Sequence, residues 1–282
     1  MIKIENTEVF GWESAIRGMR NPMNSWDKSD SCRCGELCLM IENGNEPAIE
    51  CNDGEYRYCI GANDFKLMKS LVKAGSDHSK FMRMINVTFD ITAPLYWWKE
   101  FDTYKVGTVR NSCSTMHKLT ERDITIDDFS HEHLLDDSFD IYAPMSILEN
   151  IIVTLNFHRE QFNKTKDKKH WYQMIQLLPS SYNQRATIQL NYAVLRNIYH
   201  GRKNHKLDEW HVFCEWIETL PYSELITATK SKAQWLKTDY TLCAFEQCSA
   251  CGWQGRVCTE FCDRATKKYC PNCGAEMEVN NG

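Results

Sequence analysis

A chain of 282 residues, 43% hydrophobic and 25% charged, has length for one large domain or for a core domain with a small module. Its 9 Trp, 12 Tyr and 12 Phe exclude wholesale disorder. A formal net charge of -5, without a long Lys or Arg block, argues against a general nucleic-acid binder.

No run of roughly eighteen apolar residues occurs, so no transmembrane helix is expected. The start Met1-Ile2-Lys3-Ile4-Glu5 lacks a signal-peptide pattern, and a cytoplasmic protein is expected. In that reducing compartment the 14 Cys read as metal ligands, small buried side chains or reactive thiols rather than disulfides.

In chain order, a short strand at I-K-I-E precedes an amphipathic helix expected over 7–20. Asn21 to Ser31 is rich in loop and capping residues and reads as an ordered loop or helix end. Cys32, Cys34 and Cys38 follow, a cluster in which a second metal site is conceivable but whose spacing fits no common ribbon. Asn63 to Ala74 has an Asn/Asp start and helical periodicity, and Gly75 stops it. Residues 83–93 alternate as a strand before Pro94, and the aromatic stretch Pro94 to Thr103 reads as a helix packed into the core. The acidic 120–142 region reads as a solvated face or insert. Helical period resumes from Ser146 to Trp171, with a solvated turn at Lys164 to His170, and continues over Ile188 to Tyr199 and Leu207 to Thr219.

The C-terminus carries two C-x-x-C-G units, Cys248/Cys251 and Cys270/Cys273, each with a glycine (Gly252, Gly274) behind its second sulfur. Two such pairs supply the four thiolates of tetrahedral zinc, with no open position for catalysis. Cys258 and Cys262 lack the glycine and read as spare thiols. The module's basic residues are balanced by acidic ones, which gives no push toward phosphates.

Two segments of the body carry a resemblance. The first runs from His78 to Leu119 and contains Thr103-Tyr104-Lys105, Thr108, Arg110-Asn111, Cys113 and Thr115. The second runs from Leu177 to Trp210 and places Pro179, Arg185, Asn191, Asn197 and Arg202 at fixed distances. Together they resemble the flavin-dependent thymidylate synthase family. Its signature R-H-R-x-x-S-x-N-E-x-S-x-R aligns on the first segment, where only Lys105 of the Arg-His-Arg triplet keeps a positive charge. The resemblance covers roughly residues 60–220.

The resemblance implies an α+β fold, a central mixed or antiparallel sheet with helices over 1–235; it does not cover the zinc ribbon, which the cysteine spacing puts at 245–282. It implies FAD held by His78, Lys105, Thr108, Asn191 and Asn197. It places a pyrimidine deoxynucleotide (dUMP or a relative) against Asn111, Ser112, Cys113, Thr115, Arg185 and Arg202. NADPH, methylenetetrahydrofolate and a homotetramer are implied with them. Cys113 stands where the family has a serine and is a candidate nucleophile. The lost charges keep open a second reading, a catalytically degenerate nucleotide- or partner-binding protein on the same fold. A third is a nucleic-acid-modifying enzyme using the ribbon to hold its substrate.

Overall fold

The computed structural model describes residues 1–33, 58–136, 142–228, 232–237, 245–249, 252–256, 270 and 275–277. In chain order the elements are β1 (Lys3–Phe10), α1 (Trp12–Arg20), β2 (Cys32–Arg33), β3 (Tyr58–Cys59), α2 (Ala62–Lys73), β4 (Asn86–Pro94), α3 (Leu95–Phe101), β5 (Val109–Ser112) and α4 (Thr115–Lys118). They continue with α5 (Pro144–Thr165), α6 (Lys168–Leu177), β6 (Asn183–Asn191), α7 (Tyr192–Arg202), α8 (Asp208–Glu218) and α9 (Glu224–Thr227). Five short strands follow: β7 (Lys232–Ala233), β8 (Trp235–Lys237), β9 (Phe245–Cys248), β10 (Gln254–Arg256) and β11 (Glu276–Met277). None of the described helices is long and apolar enough to cross a membrane. The chain divides into two compact units, Met1–Val9 with Asn86–Leu220 and Phe10–Ile85 with Pro221–Gly282.

The first unit is built on a four-stranded sheet in the order β1-β4-β6-β5. β4 and β6 run antiparallel from Asn86↔Asn191 to Pro94↔Asn183, and β5 joins β6 antiparallel from Val109↔Gln189 to Ser112↔Ala186. Alternation decides the faces. Val87, Phe89, Ile91 and Ala93 of β4, with Ala186, Ile188 and Leu190 of β6, are buried. Asp90 and Thr187 point to the opposite face, where the Thr187 hydroxyl donates to Asp90 at 2.6 Å. Pro94 ends the ladder and is the N-cap of α3, whose Trp97 and Phe101 pack against Trp210 and Phe213 of α8. Trp97 and Trp210 have ring centroids 4.7 Å apart.

A satellite core sits under α5 and α6, where Leu148, Leu155 and Met174 meet Leu119, Ile124 and Phe129. The region expected to be a solvated insert therefore contributes Ile124 and Phe129 to a core, and Arg122 and Asp128 form an ion pair above them.

Two helices differ from expectation. Residues 7–10 continue β1, and α1 begins at Trp12 after Gly11 takes a left-handed φ of 96°. Residues 188–191 end β6, so α7 begins at Tyr192. α2, α3 and α8 lie where the periodicity puts them, and the Ser146 to Trp171 helix is interrupted at Lys166 (φ 55°) into α5 and α6.

In the second unit α1 and α2 are tied by a buried ion pair, Arg20 to Asp64 at 2.6 Å. β2 pairs with β3, setting Cys32 opposite Cys59. Cys59 is disulfide-bonded, which corrects the expectation that none of the cysteines is oxidised. Cys34 and Cys38, and with them the conceivable second metal site, lie outside the described residues. The three-stranded sheet β10-β9-β8 and the parallel pair β11-β7 complete this unit.

Candidate functional site

β6 is the element from which the site grows. Its odd-numbered side chains stand on the open face: Arg185 pairs with Asp90 at 2.8 Å, and Thr187 and Asn6 bond the same carboxylate. Hydrogen bonds from Thr187, then Arg185 and Asn6, hold the Asp90 carboxyl down at about 2. Asn111, in register with Thr187, shares that face, whereas Ser112, in register with Ala186, shares the core side.

At the end of β5 the chain turns through Cys113 into α4. The Cys113 N–H donates to the Arg185 carbonyl at 2.9 Å. Gln184 holds the turn from the other side, donating to the Cys113 carbonyl at 2.8 Å and to Thr115 Oγ1 at 3.0 Å. Its own carbonyl oxygen Oε1 accepts from Arg110 at 2.5 Å, while Arg110 also pairs with Asp102 and lies 3.8 Å over the Trp98 ring. A cavity of about 240 Å³ opens here, lined by Cys113, Thr115, Lys118, Tyr182, Gln184 and Arg185 among others. It brings together three of the expected nucleotide residues: Cys113, Thr115 and Arg185. Gln184, Tyr182 and Lys118 escaped the sequence reading. Gln184 was legible only as the neighbour of Arg185, and its role depends on the β5–β6 register.

Of the expected flavin residues of this unit, Lys105 and Thr108 lie in the turn before β5 and Asn191 packs against it. Gly107 has φ 79°, and a Cβ there would meet Asn191 Nδ2 at 3.0 Å and Val194 Cγ2 at 3.3 Å. Asn191 is the N-cap of α7, its Oδ1 accepting from the Val194 N–H at 3.1 Å, rather than a residue on the helix face. The Thr108 hydroxyl is buried without a hydrogen-bond partner, an unmet polar group that fits an acceptor-bearing ligand at this turn. Lys105 and Asn197 are exposed. His78 belongs to the second unit, exposed in a turn where its N–H donates to the Gly75 carbonyl at 3.2 Å.

Arg202 closes α7 in a different environment. It pairs with Glu100 at 2.5 Å, donates to the Tyr104 hydroxyl at 3.0 Å and lies 4.8 Å over the Trp210 ring. Glu100 also accepts from Trp210 Nε1 at 3.2 Å, and His205 Nε2 stands 3.2 Å from it. This network joins α3, α7 and α8 and satisfies the guanidinium internally.

In the C-terminal segment Cys248 and Cys270 are buried with Ala275 and Met277, against Trp235 and Trp253. The Cys248 N–H donates to the Trp253 carbonyl at 2.9 Å and the Cys270 N–H to the Ala275 carbonyl at 2.9 Å, the same offset in both units. Cys251 and Cys273, like Cys258 and Cys262, lie outside the described residues, which hold no cluster of three metal-ligating side chains.

No family profile matches the sequence, and no curated protein does. Among solved structures, the flavin-dependent thymidylate synthase ThyX from Helicobacter pylori, complexed with FAD and dUMP, aligns with a TM-score of 0.53. Its identity is 14%, over 79% of this chain and 96% of that one. A second structure of Thymidylate Synthase X from Helicobacter pylori, with FAD and dUMP, aligns with a TM-score of 0.50 at 14% identity, over 80% and 96%. At such identity the likeness is one of fold, and the expected thymidylate synthase-like α+β architecture is borne out.

Proposed function

We propose that this chain is an FAD-dependent enzyme that reductively methylates a pyrimidine deoxynucleotide, dUMP or a relative, with methylenetetrahydrofolate as one-carbon donor and NADPH as reductant. The observation that carries the reading is the cavity at the end of β5 and β6, where Cys113, Thr115, Gln184 and Arg185 converge. Thr115, held in place by the Gln184 amide, orients the base, and Arg185 meets negative charge. Asn111 and Ser112 extend the same strand, and Arg202 stabilises the α7 end rather than reaching a phosphate directly.

Lys105, Thr108, Asn191 and Asn197 would hold the flavin. The unmet Thr108 hydroxyl is the structural support for that placement. Bound there, the flavin would supply the hydride chemistry, leaving the chain to bind, orient and exclude water. The assembly is read as a homotetramer working in the cytoplasm. Cys248, Cys251, Cys270 and Cys273 are read as holding one zinc ion, supported by the repeated backbone hydrogen bond behind the first cysteine of each pair.

The test is direct. The purified protein is expected to be yellow, absorbing near about 450 nm as flavins do, and to lose that absorbance in Asn191→Ala. Colourless protein that takes up no added FAD overturns the enzyme. A second reading, a nucleotide-binding protein without catalysis, is favoured by the Arg202–Glu100 pair and by the carboxylate partnering Arg185. It predicts a dUMP-induced thermal shift (about 2.7 kcal/mol at a hundredfold over Kd) in protein that binds no flavin.

A further inference from the structure

We infer that the pyrimidine taken at the β5–β6 cavity is an uncharged 2′-deoxynucleoside, the relative of dUMP without its 5′-phosphate. The inference rests on the pyrimidine-methylation reading above and narrows its substrate.

A phosphate monoester carries a charge of about −1.5 to −2 at pH 7. A site built for it offers Arg or Lys groups whose charge is not already met. The cations lining this cavity are Lys118, Arg122 and Arg185. Each is engaged by a carboxylate: Lys118 by Glu121 at 2.8 Å, Arg122 by Asp128, and Arg185 by Asp90 at 2.8 Å. Glu5 stands 3.7 Å from the Arg185 guanidinium as well. The negative charge that Arg185 meets is therefore the protein's own.

Part-exposed pairs of this kind are individually weak, so no single one decides. The balance of charge does. Asp127 and Asp128 line the cavity beside the three cations, and Glu121 and Asp90 hold two of those cations. Burial would raise the Asp128 pKa, yet hydrogen bonds from Arg122 and Thr125 bring it below the ordinary value, so it stays ionised. Cavity and partners together hold more carboxylates than cations. An entering dianion would meet net repulsion and would have to displace a carboxylate from a guanidinium. Arg202, the other arginine expected at the nucleotide, is held by Glu100 and the Tyr104 hydroxyl.

The remaining lining is neutral and suited to a base and sugar. Thr115 Oγ1 accepts from Gln184 Nε2 at 3.0 Å, which leaves its own hydrogen for a ligand oxygen. Burial, and then the charge of Asp128, hold the Tyr182 phenol above the ordinary tyrosine value, so it is a neutral hydroxyl at pH 7. At about 240 Å³ the cavity is also smaller than a pocket for a drug-sized molecule (roughly 300–1,000 Å³), which favours the smaller nucleoside.

The experiment is isothermal titration of the full-length protein, as purified, with 2′-deoxyuridine and separately with dUMP. Deoxyuridine is expected to bind as tightly as dUMP, within about threefold, or more tightly. Thr115→Val is expected to weaken deoxyuridine about tenfold, which places the ligand in this cavity. Asp90→Asn is expected to tighten dUMP while leaving deoxyuridine within about twofold. dUMP more than about threefold tighter than deoxyuridine in the wild type, or an equal gain for both ligands in Asp90→Asn, overturns the inference alone. Binding of neither ligand, or deoxyuridine binding unmoved by Thr115→Val, overturns the pyrimidine reading of the cavity and the inference with it.

Discussion

Asp64 shows what a single side chain decides in this chain. Fully buried, it accepts from Arg20 at 2.6 Å and from the Ser29 and Ser31 hydroxyls, each at 2.6 Å. Burial alone would raise its pKa, yet the two serines and Arg20 bring it below the ordinary value. Asp64→Ala leaves Arg20 buried without its counter-charge and should cost about 3–5 kcal/mol in urea unfolding. Because the folded carboxyl is the stronger acid, the stabilisation is present above the unfolded pKa of about 3.9 and lost as pH falls through the folded value. On the open sheet face the same logic runs the other way. Asp90 occupies Arg185, so Asp90→Asn should free the guanidinium and tighten dUMP about threefold to tenfold by isothermal titration. Unchanged affinity there would remove Arg185 from the nucleotide site. Neither partnership was legible in the sequence: Asp64 lies 44 residues from Arg20, and Asp90 lies 95 from Arg185.

At the scale of elements, periodicity found what local sequence controls and missed what pairing controls. α2 and α8 are legible because each buries a regular stripe: Met68 and Val72 in one, Trp210, Phe213, Cys214 and Ile217 in the other. Ile188 to Asn191 also fits a helical stripe, and it is the ladders to Asn86–Phe89 of β4 and to Val109 and Arg110 of β5 that make it a strand. That difference moves Asn191 from a helix face to a cap. Likewise β5 is too short to announce itself, yet its register with β6 creates the cavity. The α5–α6 pair carries a feature no sequence pattern marks. His158 and His170 meet nitrogen to nitrogen at 2.9 Å, with centroids 5.2 Å apart, a near head-on contact that requires one ring to donate and the other to accept. Burial, and then His170, lower the His158 pKa; the charged neighbour acting on the pair, Asp167, is itself bonded to Lys169. At His158 the unfolded chain therefore binds more of a proton than the folded one as pH falls through about 6.5. Urea midpoints should fall as pH drops from 7.5 to 5.5, and His158→Gln should flatten that fall. An identical slope in the variant would show that the pair does not set it.

For the whole molecule, the question is whether the proposed zinc module and the proposed nucleotide cavity are independent. The cavity is lined entirely by residues of the first unit, and Cys248 and Cys270 belong to the second. A site of four thiolates leaves no coordination position for a substrate, so its energy goes into folding rather than chemistry. The two C-x-x-C-G units share one backbone pattern, and Cys248 and Cys270 are buried beside Trp235 and Trp253. Such a cluster is too small to bury enough apolar surface by itself, and the metal would close the deficit. Metal analysis of the purified chain should find one zinc per chain, and Cys248→Ser should lose it together with the early part of the thermal transition. The dUMP-induced shift should survive in that variant, because the residues lining the cavity are untouched. Zinc-free wild type would remove the ribbon. Zinc loss that also abolishes the nucleotide shift would make the metal part of the site, and the charge of the bound ion would then have to enter every argument about Cys113 and Arg185.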